Sequence, residues 1–228
     1  MNIKPFGNSA ILIEFKQVID ESVNDLVLKL YNKIKARKIE GVLSLVPAYS
    51  SLTIVYNAEV NNYTALVKKI EEIFYENETI DTKQKQSNRN IEIPICYDDE
   101  FGIDLLELSN TLNFSVEQIV ELHLSQSYRV FMIGFLPGFP YLGKLNDRIF
   151  TNRRKIPRKK VAAGSVGIAA LQTGIYPIEA PGGWNIIGRT PSLIFNAQKK
   201  SPFLLNVGDN VTFKRISKND FKKYSSSS

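Results

Sequence analysis

The first part of the chain repeats one pattern: two strand-like runs followed by an amphipathic helical run. The strand-like runs are residues 3–6, 10–15, 42–46 and 52–56. The helical runs carry apolar side chains three or four residues apart: Val23, Leu26, Val27, Leu30 and Ile34, then Leu66, Val67, Ile70, Ile73 and Phe74. Asp20 and Asn62 are placed to cap these helices. The order predicts a small α+β domain over residues 1–80, with helices on one face of a mostly antiparallel sheet.

A polar segment follows. Residues 76–90 are almost entirely charged or amide side chains with small hydroxyl residues between them. Such a composition cannot bury enough apolar surface to form part of a core. We therefore predict a linker at residues 81–90 and a second domain at residues 91–228.

The pattern in the second part is mainly that of short strands. Residues 91–95 form a strand-like run that contains Pro94, which favours an edge position. Two short helices follow, the second opened by a capping box from Ser115 to Gln118. From residue 128 onward, short β-type runs alternate with glycine and proline. This rhythm predicts a mainly β domain with a closed or nearly closed barrel.

Length and composition narrow the class of protein. The chain has 228 residues, 43% hydrophobic and 23% charged, which excludes disorder and collagen-like repeats. No apolar run approaches the roughly 20 residues of a membrane span, and the first residues lack the pattern of a secretory signal. We therefore expect a cytoplasmic protein that does not enter a membrane.

The net charge of +6 is concentrated in one place. Six basic residues lie within positions 153–160, and their charge equals the whole excess. A nucleic-acid-binding surface usually spreads its cations and interleaves aromatic rings, and this octapeptide has no aromatic residue. The pattern therefore argues against nucleic acid and leaves three alternatives: an anion site, a docking surface for a partner, or a solvated loop.

Familiar catalytic motifs are scarce. One histidine, His123, and one cysteine cannot supply a typical zinc site, and we expect no zinc or other metal. No phosphate-binding glycine motif occurs. Ser165 is not in a nucleophile elbow, because Ala163 stands where that motif needs glycine. His123 falls on a predicted helix, where a packed structural histidine is the preferred interpretation.

Three segments combine glycine, proline and aromatic residues: 134–143, 172–177 and 180–190. Such segments are ordered, because proline restricts φ while glycine admits positive values. Their side chains include an amide at Gln172, hydroxyls at Tyr141 and Tyr176, and the forked cation of Arg189, with Arg158 nearby in sequence. From the pattern alone, a binding site and a set of tight barrel turns are both open.

The same segments carry a family resemblance. The runs GFLPGFPYLG (134–143), AGSVGIA (163–169), QTGIYP (172–177) and PGGWNIIGRTP (181–191) resemble the KipI family, also called the allophanate hydrolase subunit 1 or PxpB-like 5-oxoprolinase family. Weaker matches extend the resemblance over almost the whole chain. Asn8 and Ala162 depart from it, since the family favours aspartate and proline there.

The resemblance implies a cyclophilin-like barrel and a role within a complex. Its members act with a second cyclophilin-like subunit (the KipA-like one of 5-oxoprolinase) and a third subunit to open 5-oxoproline to glutamate with ATP hydrolysis. The chain would then be a non-autonomous enzyme subunit, with the ATP-binding subunit left open. No Met-Lys-Met run is present, so this chain would carry no biotin. The alternative is a regulatory protein that inhibits a sensor histidine kinase.

Within that implied reaction we assign hypothetical roles to six residues. Arg158 and Arg189 would stabilise phosphoryl charge and Gln172 would orient the lactam, which makes these three the catalytic candidates. The substrate-binding candidates are Tyr141, Tyr176 and Trp184, which would hold the lactam and exclude water.

Overall fold

The structure is a computed structural model that describes residues 1–76 and 89–226. The chain divides into two compact units, Met1–Ser87 and Asn88–Ser228. The predicted linker, residues 81–90, lies outside the described residues except at its last two positions. The predicted domain boundaries therefore stay predictions.

The first unit has the repeated strand, strand, helix order that the sequence predicts. Its described elements are β1 (Asn2–Pro5), β2 (Ala10–Glu14), α1 (Glu21–Arg37), β3 (Val42–Pro47), β4 (Ser51–Tyr56) and α2 (Tyr63–Tyr75). The strands form an antiparallel sheet in the order β1-β2-β4-β3. Both helices contribute to one core with alternate residues of β2 and β4, and Asp20 and Asn62 cap them as predicted.

One residue of the predicted helical face of α1 is misplaced. Leu26 is 44% exposed, whereas Asn24 and Leu28 are buried. The Asn24 side chain donates to the carbonyls of Ala48 and Tyr49, at 3.1 and 3.2 Å. These two bonds fix the rotation of α1 towards Asn24 and Leu28, and Leu26 is turned outward.

The second unit is mainly β. Its described elements are β5 (Asn90–Ile95), α3 (Leu105–Leu112), α4 (Val116–Leu124), β6 (Tyr128–Ile133), β7 (Pro140–Gly143), a 3₁₀ turn (Asp147–Ile149), β8 (Arg158–Val161), β9 (Ser165–Ala169), β10 (Gln172–Ile175), β11 (Ala180–Gly182), β12 (Asn185–Arg189), β13 (Asn210–Arg215) and α5 (Lys218–Ser226). The capping box predicted at Ser115 and Gln118 opens α4. No helix in these ranges or in the first unit's described residues is long and apolar enough to cross a membrane.

Seven of these strands form a sheet in the order β12-β9-β10-β7-β6-β13-β5. The strands β5 and β12 lie at opposite edges, and Pro94 is in edge strand β5 as predicted. Just beyond β5, the backbone of Cys96 exchanges two hydrogen bonds of 2.9 Å with that of Arg189, at the end of β12. This bridge brings the edges together, so the sheet is a nearly closed barrel.

The barrel encloses the larger of the unit's two apolar clusters. Inward side chains from β5, β6, β9, β12 and β13 pack there with residues of α3 and α4. His123 of α4 is completely buried beside this cluster, with both ring nitrogens hydrogen-bonded. The prediction of a packed structural histidine is confirmed.

Candidate functional site

The loop 134–143 joins β6 to β7 and carries an aromatic side chain onto the outer face of the barrel sheet. Positive φ angles at Phe135 (68°) and Gly138 (83°) turn the loop sharply. The backbone N–H of Phe139 donates to the carbonyl of Leu136 at 3.0 Å, which closes the turn. Phe139 is buried as a result, at the centre of the second apolar cluster of the unit.

Two glycines make room for this cluster. Gly167 of β9 and Gly174 of β10 are paired directly across the hairpin. A Cβ atom at Gly174 would lie 2.9 Å from the Phe139 ring, and one at Gly167 would lie 3.0 Å from Cβ of Trp184. Only a strand pair without side chains at this point lets the two rings lie against the sheet.

The resulting aromatic cluster contains Phe139, Tyr141, Tyr176 and Trp184. The Phe139 ring centroid is 4.9 Å from that of Tyr141, 5.1 Å from that of Tyr176 and 5.5 Å from that of Trp184. The last two contacts are edge-to-face, a favourable geometry for aromatic pairs. Tyr176 and Trp184 are buried and Tyr141 is partly exposed. The three residues predicted to bind substrate therefore meet, and Tyr141 is the accessible member.

Two arginines lie at the edge of the aromatic cluster. The Arg153 guanidinium is 6.0 Å from the centroid of the Trp184 ring. Burial raises the pKa of Tyr141 and of Tyr176, while the positive charge of Arg153 opposes that rise in both. Arg158 opposes it at Tyr176 as well. The cluster thus presents tyrosine hydroxyls and two fixed cations on one side.

A buried carboxylate holds the second of these cations. Asp104, just before α3, is 1% exposed and accepts hydrogen bonds from the guanidinium groups of Arg154 (3.0 Å) and Arg158. Its other oxygen accepts from the backbone N–H of Ile186 in β12, at 2.6 Å. Asp104 thereby fixes the basic segment 153–160 to β12 and to the start of α3. Sequence reasoning missed this residue, because an aspartate before a helix usually caps it, whereas Asp104 makes no side-chain cap bond.

One half of the Arg158 guanidinium is left without a partner. Its Nη2 is bound to Asp104, while Nη1 is buried with no hydrogen-bond partner among the described residues. A buried N–H group without a partner is costly, by about 1–3 kcal/mol. This geometry suits an anionic oxygen of a ligand.

The other two catalytic candidates lie elsewhere on the same strands. Arg189 is at the far end of β12 from Trp184, where its Nε donates to the carbonyl of Ala163 at 2.7 Å and its backbone closes the barrel. Gln172 begins β10, two residues before Gly174, which pairs with Tyr141. Alternate residues of a strand share a face, so Gln172 is on the side of the aromatic cluster. The structure brings together Arg158 and the three aromatic candidates, with Gln172 at their margin and Arg189 at the barrel seam.

Comparisons with known proteins agree with this fold. The family model of the carboxyltransferase domain, subdomain C and D, matches residues 1–205. The solved structure of TTHA0988 superposes with a TM-score of 0.80 at 32% sequence identity, covering 91% of this chain and 40% of that protein.

Two curated relatives match over nearly their full length, and both are the B-type subunit of a 5-oxoprolinase. The one from Bacillus subtilis (strain 168) is 40% identical over 232 residues, which covers 97% of this chain and 95% of the relative. The one from Escherichia coli O157:H7 is 33% identical, with 91% and 92% covered. The resemblance seen in the glycine-rich segments is confirmed, and this chain belongs to the family of the B-type 5-oxoprolinase subunits.

Proposed function

We propose that this chain is a non-autonomous subunit of an ATP-dependent 5-oxoprolinase complex that opens 5-oxoproline to glutamate. The similarity to the Bacillus subtilis 5-oxoprolinase subunit over 97% of the chain supports the proposal. The structural observation that carries it is the buried, partnerless Nη1 of Arg158 next to the aromatic cluster. The relatives described above give no support to the histidine-kinase alternative.

The chemical problem is that a lactam carbonyl is a poor electrophile. Attack of the lactam oxygen on the γ-phosphorus of ATP releases ADP and leaves an O-phosphorylated carbon that water can attack. Breaking the C–N bond, with a proton passing to nitrogen, then gives an acyl phosphate, and a second water hydrolyses it to glutamate and phosphate. Phosphoryl transfer depends on positioning and on cations that stabilise the oxygens of the transferred group.

The side chains around the aromatic cluster match these needs. Nη1 of Arg158 and the guanidinium of Arg153 would stabilise phosphoryl oxygens, and the Asp104 carboxylate would keep Arg158 in place. The hydroxyl of Tyr141 and the amide of Gln172 would hold the lactam. The buried rings of Tyr176 and Trp184 would exclude bulk water from beneath it.

The same proposal covers the fold and the assembly in more detail. We propose that the nearly closed barrel is cyclophilin-like and that it forms a domain separate from residues 1–80. The partners would be a second cyclophilin-like subunit and a third subunit, and the complex would act in the cytosol. ATP would be a cosubstrate of the whole complex.

The test is reconstitution. The chain, combined with the two other subunits, is expected to release glutamate from 5-oxoproline only when ATP is present. The variant Arg158→Lys should lower kcat roughly tenfold or more, equal to about 1.4 kcal/mol of transition-state stabilisation, because lysine keeps the charge beside Asp104 and loses the second N–H group.

The matched control is Lys159→Gln, an exposed neighbour in the same strand, which should retain wild-type turnover. Full activity of the Arg158→Lys complex would remove Arg158 from the site. A complete complex that releases no glutamate would contradict the proposed function itself.

A further inference from the structure

An open cleft of about 560 Å³ lies between α3 and residues 150–156. Its volume falls within the range of roughly 300–1,000 Å³ that is typical of small-molecule sites. The residues that line it are Glu107, Leu108, Thr111, Leu112, Phe150, Thr151, Asn152, Arg153, Arg154, Lys155, Ile156 and Asn185. None of the six residues predicted as site residues from the sequence is among them.

One part of this cleft is apolar. Leu108, Thr111 and Leu112 lie three and four residues apart and so share one face of α3. Across from them, Ile156 is 82% exposed and Phe150 is 44% exposed. Covering such apolar side chains is favourable by about 25 cal/mol for each Å² removed from water. A ligand with a flat or apolar body would gain that free energy here.

The rim of the cleft is positively charged. Arg154 is neutralised, since its guanidinium lies 3.0 Å from an Asp104 oxygen and 2.9 Å from a Glu107 oxygen. Its neighbours Arg153 and Lys155 pair with no carboxylate in the described part of the chain. Two such cations at one rim suit a group with several anionic oxygens, and phosphate is the common biological example.

The cleft also borders the aromatic cluster. Arg153 lines the cleft and lies over the Trp184 ring, 6.0 Å from its centroid. Asn185, the residue after Trp184, lines the cleft as well, and its Nδ2 donates to the carbonyl of Asn152 at 2.8 Å. An anion bound at Arg153 would therefore lie beside the place where the lactam is proposed to bind.

From these observations we infer that the cleft is a nucleoside phosphate site. The phosphates would bind Arg153 and Lys155, and the base would lie on the apolar wall formed by α3, Phe150 and Ile156. The inference rests on the proposed function and extends it, since it assigns the nucleotide of the complex to this chain.

Calorimetric titration of the purified full chain tests the inference with ADP, adenosine and inorganic tripolyphosphate as probes. ADP should bind at one site, and each of the other two probes at least tenfold more weakly. The double variant Arg153→Gln, Lys155→Gln should weaken ADP binding tenfold or more. Thr111→Trp, which fills the cleft from an exposed helical position without changing charge, should do the same. The control Lys199→Gln, Lys200→Gln removes as much charge from an exposed loop and should change Kd less than twofold.

Three results would overturn the inference. They are the absence of ADP binding to the full chain, equal weakening by the cleft and control variants, and tripolyphosphate binding as tight as ADP, which would indicate a general anion patch. Tighter binding of single-stranded RNA than of ADP would also overturn it.

Glutamate release by the complex separates this inference from the proposed function. A complex that opens the lactam although the single chain binds no ADP overturns the cleft assignment alone. ADP binding that follows the expected variant pattern, in a chain whose complex releases no glutamate, supports the cleft and contradicts the proposed function.

Discussion

The buried histidine gives a prediction that can be worked out in full. The Thr173 hydroxyl lies 3.1 Å from the carbonyl oxygen of Gly167, which can only accept a hydrogen bond. Thr173 therefore donates there and accepts from Nε2–H of His123, 2.9 Å away. Nδ1 of His123 is then the acceptor for the Tyr97 hydroxyl, at 2.8 Å. The network is complete when the ring is neutral, and it has no place for a second proton.

Burial lowers the pKa of His123 from its ordinary 6.5 to about 3. Between these values the unfolded chain binds a proton that the native protein does not bind, so the free energy of unfolding falls as pH falls. The contribution is fully present above pH 6.5 and is lost progressively towards pH 3. Since each pH unit is worth about 1.4 kcal/mol, the loss between pH 7 and pH 5 is about 2 kcal/mol.

The variant His123→Gln isolates this effect, because the chain has one histidine. Its amide oxygen can accept from Tyr97 and its amide nitrogen can donate to Thr173, but it does not titrate. It should be less stable than the wild type at pH 7, since the His123 ring stacks on Phe213 with centroids 4.7 Å apart. That stability gap should shrink by about 2 kcal/mol at pH 5.

Urea unfolding at both pH values and constant ionic strength measures the gap, and the carboxylates shared by the two proteins cancel in the difference. Tyr97→Phe is the control, because it removes one hydrogen bond and retains the titrating ring, so its stability should fall with pH as that of the wild type does. If the wild type and His123→Gln lose the same stability between pH 7 and pH 5, the native histidine is not held neutral and the reasoning is refuted.

Three further predictions concern the seam, the assembly and the linker. Arg189→Lys should retain most turnover in the complex and lower the thermal midpoint by a few degrees, because it weakens the bond to Ala163; a tenfold loss of kcat at unchanged stability would instead place Arg189 in the site. The isolated chain should release no glutamate from 5-oxoproline with ATP, and measurable release would contradict the proposal that it acts only within a complex. Limited proteolysis should cut first within residues 76–90, and earlier cuts in both flanking parts would count against the predicted boundary.

Local signals in the sequence predicted most of the fold. The caps at Asp20 and Asn62 and the capping box at Ser115 each depend on residues within one helical turn, so the sequence contains the whole interaction. The outward position of Leu26 could not be predicted in this way. It depends on hydrogen bonds from Asn24 to carbonyls 24 and 25 residues further along the chain.

The candidate site shows the same limit more clearly. Tyr141, Tyr176 and Trp184 could be selected because they lie in segments dense in glycine and proline. Asp104 could not, since its partners Arg154 and Arg158 follow it by 50 and 54 residues and no local pattern marks the pairing. The basic octapeptide was correctly recognised as unusual, while only the fold separates its neutralised arginine from the cations that have no carboxylate partner.

The hairpin of β9 and β10 joins the core of the barrel to the candidate site. The carbonyl of Gly167 accepts the hydrogen bond from Thr173 that orders the buried histidine network, while the Cα of the same glycine lies beneath Trp184. Thr173 and Gly174 are adjacent and point to opposite faces, one towards His123 and the other towards Phe139. A side chain added at Gly167 would therefore have to displace Trp184 or shift the strand, and a shift of the strand would also disturb the histidine network. The aromatic cluster is held by a hairpin whose inner face is fixed by hydrogen bonds, and this is the kind of rigid support that a positioned site requires.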